Sequence, residues 1–70
     1  MKIKIREIYE RKRIVKEYMD DSVNKMQGIF SSSWEIAMNV MSRMANDNID
    51  LSNDIICEVM NVASYEGVNY

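Results

Sequence analysis

The sequence predicts an all-α protein, a small three-helix domain with helices at about 6–27, 33–46 and 52–66, expected to pair as a homodimer. Three observations predict the fold. The 70 residues contain no proline, no threonine and only two glycines, so the strongest helix breakers are nearly absent. Apolar residues recur at helical spacing in three stretches. Serine, asparagine and aspartate, which favour helix ends and turns, gather between those stretches. The dimer is expected from size. So short a chain buries only about 60% of its unfolded surface and is marginal alone. With one cysteine, Cys57, no internal disulfide can form, and with no histidine the commonest transition-metal ligand is missing. A second subunit remains as the stabilising device.

The first helix places Ile5, Ile8, Tyr9, Val15, Met19, Val23 and Met26 on one face at about 100° per residue. Lys12 and Lys16 interrupt that face, so its first half should be the less buried. Glu7 precedes Arg11 by four residues, the favourable order for a helical ion pair, and Arg13 with Glu17 makes a weaker pair in the reverse order. Gly28 suits the end of the helix. Residues 2–5 (Lys-Ile-Lys-Ile) alternate like a strand and read either as a short extended arm or as the first turn of the helix.

Ser31, Ser32 and Ser33 are good starters for the second helix, and Ser32 with Glu35 has capping-box spacing. Its polar residues occupy a narrow arc. Trp34, Ile36, Ala37, Met38, Val40, Met41, Met44 and Ala45 take the wider part of the wheel, which should be covered from two sides and makes this the expected central helix. Met38, Val40, Met41 and Met44 are therefore the expected core or dimer face. Asp47 to Leu51 is turn-like. Asp50 or Ser52 can cap the third helix, whose inner face is expected to be Ile55, Ile56, Val59, Met60, Val62 and Ala63. Gly67 suits its end.

The charge is unevenly placed. Residues 1–17 hold seven basic residues against three acids, a net +4, while residues 18–70 hold eight acids against two bases, a net −6. Such polarity can orient a partner or a second copy. Seven methionines in 70 residues read as flexible core filling first and as an adaptable binding surface second. Phe30 and Trp34, beside the serine run, are candidates for a partner hot spot, with a core role for Trp34 slightly preferred.

Several chemistries are not expected. Without histidine, Cys57 or a serine nucleophile lacks its usual base, and Cys57 reads as a half-buried inert thiol. No glycine-rich phosphate loop occurs. A calcium loop starting at Asp50 would need glycine where Ile55 stands and glutamate where Asn61 stands. The stretch Asp50-Leu51-Ser52-Asn53-Asp54-Ile55 resembles in part the signature of the small sporulation phosphatases that act on response regulators. Ile56, however, stands where that activity needs an aspartate. The second and third helices make a poor helix-turn-helix, since the would-be recognition helix carries Asp54 and Glu58 and no base.

The expected function is that of a small non-enzymatic interaction protein, without cofactor or metal, acting as a regulator or inhibitor of a larger protein. Chains of this kind are often carried by phages and mobile elements. The alternative is a nucleic-acid-binding regulator using the basic segment 2–16. The expected contact residues are Arg11, Lys12, Arg13 and Lys16 on the first helix, with Phe30 and Trp34 at the junction. No apolar run approaches the roughly 18 residues of a membrane span. The basic N-terminus is not followed by an apolar signal core, so a cytoplasmic protein without membrane contact is expected.

Overall fold

Three helices form where the periodicity places them. The computed structural model describes residues 2–25 and 32–66. Helix α1 spans Ile8–Lys25, α2 Ser33–Asn46 and α3 Asn53–Glu66. The sequence-based start of α1 at Arg6 is corrected to Ile8, with the Glu7 carbonyl accepting the Arg11 amide at 3.0 Å. Ser32 caps α2, its Oγ accepting the Glu35 amide at 3.2 Å. Ser52, not Asp50, caps α3, its Oγ accepting the Ile55 amide at 3.3 Å. The expected helix-1 end at Gln27, with Met26, Gly28, Phe30, Ser31, Gly67 and Val68, lies outside the described residues.

The end of α2 is closed by a backbone turn. Asn48 adopts a positive φ of 62°, a conformation that asparagine tolerates better than most residues. That bend lets the Asn48 amide reach the Ala45 carbonyl and the Ile49 amide reach the Met44 carbonyl, both at 3.0 Å. This is the Schellman pattern, and the two residues whose apolar contact usually accompanies it, Met44 and Ile49, are both buried in the core. Ile49 then meets the N-terminal segment. Ile3 and Ile49 form a parallel bridge, with the Ile3 amide donating to the Asn48 carbonyl at 2.6 Å and the Asp50 amide to the Ile3 carbonyl at 2.7 Å.

The core is built from Val15 and Met19 of α1, Ile36, Ala37, Val40 and Met44 of α2, Ile49, and Ile55, Val59 and Ala63 of α3. Each large side chain among them contributes about 1.5–3 kcal/mol by leaving water. Every helix packs against the other two, so α2 is not more central than its neighbours. Tyr18 bonds to Asp47 and Asp21 pairs with Arg43, so α1 and α2 run antiparallel. Arg11 meets Asp54, so α3 starts beside the first turns of α1 and runs with it. Ser22 is fully buried among the apolar residues, a position that sequence periodicity missed because a small side chain suits close helix approach as well as exposure.

Candidate protein-binding surfaces

The charged contacts decide which sides of the helices are left over. Arg43 lies on the flank of α2 that faces α1, where it pairs with Asp21 and has Nη1 3.5 Å from Ser22 Oγ. The side-chain bond to Arg43 holds the Asp21 carboxyl below its ordinary value, against a smaller opposing effect of desolvation. With that flank turned to α1, the opposite flank of α2 faces α3 or solvent. Trp34, Met38, Met41 and Ala45 share that flank within an arc of about 60°. Met41 is half-buried against the core, whereas Trp34 is 59% and Met38 46% exposed. The slight preference for a core role at Trp34 is therefore corrected, and of the residues expected as core or dimer face Met38 lies outside the core of the single chain. Three helices close only one side of a wheel as wide as that of α2.

Helix α3 continues this surface. Asp54 is turned toward α1, where Arg11 Nη1 approaches it at 3.5 Å. Ile56 and Met60 lie on the far part of the wheel, toward α2. Met60, expected inside, is 38% exposed. Cys57, expected to be half-buried, is exposed. Asn53, Cys57, Met60, Asn61 and Ser64 are all exposed and share an arc of about 100° that carries no charge. On the outer side of α2 the exposed residues are Trp34, Glu35, Met38, Asn39, Ser42, Ala45 and Asn46, so Glu35 is its one charge. The two outer arcs flank the α2–α3 seam and together form a face with tryptophan and methionine and almost no charge. Depletion of charge with enrichment of Trp and Met is the composition of interface centres.

The other end of the molecule is the reverse. Ile3, Ile8 and Tyr9 are exposed, the last by 81%, so the expectation that Ile8 and Tyr9 belong to the inner face is corrected. Around them stand Lys2, Lys4, Arg6 and Lys12, none of which is in an ion pair among the described residues, while Arg11, Arg13, Lys16, Lys25 and Arg43 all are. The expected Glu7–Arg11 pair is replaced by Arg11–Asp54. Arg13 is bracketed by Glu10 and Glu17, the latter at 2.8 Å, which raises its pKa, chiefly through the bond to Glu10. Lys16 reaches Asp20 at 3.4 Å. Of the expected basic contact residues, Lys12 alone has no ion pair among the described residues.

Among the described residues, two of the clefts border α1. One, of about 350 Å³, is lined by Lys4, Ile5, Arg6, Arg11, Asp50, Ser52 and Asp54. Its cations and carboxylates oppose each other, so it presents no field of one sign. The other, of about 310 Å³, is lined by Glu17, Tyr18, Asp21, Arg43 and Asp47. There the Tyr18 hydroxyl donates to the Asp47 carboxylate. Burial first, and that bond second, push the Tyr18 hydroxyl from 10.0 up to about 12. Among the described residues no group of three or more His, Cys, Asp or Glu could hold a metal ion, and no helix is long and apolar enough to cross a membrane. Compared with known proteins, the chain matches no family model, no curated protein and no solved structure.

Proposed function

We propose that this chain is a small non-enzymatic interaction protein, a regulator or inhibitor that binds a larger protein, and that it works as a homodimer. One observation carries the reading. Six of the seven exposed large hydrophobic residues among those described fall into two groups, an uncharged face bearing Trp34, Met38 and Met60 and a basic end bearing Ile3, Ile8 and Tyr9, with Tyr65 standing apart near the end of α3. Charged rims steer encounters and set association rates, whereas desolvated aromatic and methionine anchors hold complexes together. A binding protein needs both kinds of surface. In this reading residues 2–5 form a short arm, anchored at Ile3, that meets the partner early.

The test compares captured proteins. The tagged wild-type chain should retain a protein from its source cell that a folded variant with Ile8, Tyr9 and Lys12 changed to alanine does not retain. Identical captures by the two would sink the basic end as the partner's contact. The absence of any retained protein would sink the binding reading itself.

A second reading has one observation in its favour. Lys2, Lys4, Arg6 and Lys12 lie near exposed Tyr9 in the chain and form no ion pair among the described residues, as suits a nucleic-acid contact. Binding of a random duplex should then weaken with salt at a slope near −0.9 per phosphate contact. We expect no such binding even at low salt, because Glu7, Asp50 and Asp54 stand among the same cations. A steep salt slope that flattens on Lys12→Ala would favour the nucleic acid.

A further inference from the structure

We infer that the outer edge of residues 2–4 takes an extended acidic segment of the partner protein as an added strand. The inference rests on the protein-binding reading above and names the chemistry of the partner. Its first support is backbone geometry. Ile3 turns both of its backbone groups inward, its amide donating to the Asn48 carbonyl at 2.6 Å and its carbonyl accepting the Asp50 amide at 2.7 Å. The peptide units here are trans, so the C=O and N–H of each unit point in opposite directions. The Lys2 carbonyl shares a unit with the Ile3 amide, and the Lys4 amide shares one with the Ile3 carbonyl. Both therefore point away from the segment Asn48 to Asp50. Neither has a backbone hydrogen bond among the described residues, and Lys2, Ile3 and Lys4 are all exposed. A free acceptor and a free donor flanking a bridged residue are what a further strand needs to pair with it.

The second support selects the occupant. Residues 2–6 read Lys-Ile-Lys-Ile-Arg and contain no acid. None of the three bases is in an ion pair among the described residues. Opposite charges facing each other across a strand pair stabilise it, and like charges destabilise it. A strand that pairs at Ile3 sets its own neighbouring residues across from Lys2 and Lys4, so the complementary segment reads acid, apolar, acid. A second copy of the arm fits badly. An antiparallel pair centred on Ile3 sets Lys2 of one copy across from Lys4 of the other, and lysine on an edge is a common guard against such self-pairing. Nucleic-acid phosphates can meet the cations and the Lys4 amide, but they donate nothing to the Lys2 carbonyl. The bridge to Ile49 already holds residue 3 extended, so less ordering is left for binding to impose.

The experiment titrates the full chain at low salt with a short synthetic peptide alternating glutamate and valine, followed by fluorescence anisotropy and by amide exchange in NMR. This peptide should bind, and a peptide alternating lysine and valine should not. The Lys4 amide should exchange roughly tenfold more slowly in the complex, as a newly paired donor does. Lys4→Ala removes the charge and keeps the amide. Lys4→Pro removes both, and Ile3 is already in the extended form that a following proline favours. Lys4→Pro should therefore bind the peptide about fivefold more weakly than Lys4→Ala, the worth of one net hydrogen bond. An Ile3 amide that exchanges as in wild type shows that the arm is still docked in each variant. Where Lys4→Pro frees the arm, the wild-type Lys4 amide decides alone.

Failure of the glutamate–valine peptide to bind overturns the inference. So does binding that leaves the Lys4 amide as fast as before, since charge alone would then hold the peptide. Slowing of that amide in the peptide-free chain as its concentration rises would make the occupant a second copy. Tighter binding of a single-stranded oligonucleotide would give the edge to nucleic acid. The binding reading fails separately, on capture of no protein by the wild-type chain. If a protein is captured and the peptide is not bound, only the strand edge is lost.

Discussion

At the scale of single residues, Tyr18 and Asp21 tie α1 to the end of α2 and fail at opposite ends of the pH range. Tyr18 has its pKa raised from 10.0 to about 12 by burial and by its bond to Asp47. A group raised on folding contributes fully below its unfolded value and loses that contribution as pH rises through the folded one. Tyr18→Phe should therefore melt with a weaker pH dependence than wild type between about 10 and 12, the other alkaline titrations being common to both. Asp21 is lowered, chiefly by its bond to Arg43. Its contribution is present above the ordinary aspartate value, about 3.9, and is lost as pH falls through the depressed value. Asp21→Asn should flatten the acid limb of the melting curve and leave the alkaline limb in place. Trp34 differs from both in having no polar tie to another helix among the described residues and in standing 59% exposed. In dilute solution Trp34→Ala should keep the helicity and change unfolding by less than about 1 kcal/mol, whereas Met44→Ala should cost about 2–5 kcal/mol. Unfolding by Trp34→Ala would return that side chain to the core.

At the scale of elements, the ends of the helices explain what the sequence could disclose. Ser32 before Glu35 announces α2 because an N-cap is a local transaction between neighbours in the chain, and its Oγ accepts the Glu35 amide at 3.2 Å. Ser32→Ala should lower stability by about 1 kcal/mol, read by urea unfolding at constant m. The stop signal of α2 is also local, yet it sits inside a polar run where several residues could serve. Asn48 is the one that takes the left-handed turn. Asn48→Gly should be tolerated, and Asn48→Val should cost about 1–2 kcal/mol through the crowding of a branched side chain there. Periodicity, by contrast, reports which residues could be inside and not whether another element reaches them. Ile8 keeps the spacing of Val15 and Met19, whereas Tyr9 stands about 80–120° round the wheel from them. Tyr18 meets Asp47 and Arg11 meets Asp54, so α2 ends and α3 begins before the first turn of α1 is covered. The same reason misplaced Met38 and Met60. The wheels of α2 and α3 are wider than two neighbours can cover, and the leftover arcs are the candidate site itself.

At the scale of the whole molecule, exposed apolar residues stand in two settings that differ in charge. The uncompensated cations Lys2, Lys4, Arg6 and Lys12 sit with Ile3, Ile8 and Tyr9 at the start of the chain, and the neutral tryptophan–methionine surface spans α2 and α3. Salt therefore discriminates between the two surfaces. Exposed charges are screened over about 10 Å at 0.1 M and about 3 Å at 1 M, so an association steered by the basic end must slow as salt is added. A homodimer paired through the neutral face would have little charge to screen, and apolar burial does not weaken on adding sodium chloride as ion pairing does. Raising the salt from roughly 0.05 to 0.5 M should leave the dimer constant within about twofold. Over the same range the association rate with the captured protein should fall by about tenfold or more, its dissociation rate changing less. Lys12→Ala should reproduce part of that slowing at low salt and none of it at high salt. A dimer that dissociates with salt would mean that the basic end, not the α2–α3 face, joins the copies. A partner whose association ignores salt would mean that the tryptophan surface is what it meets.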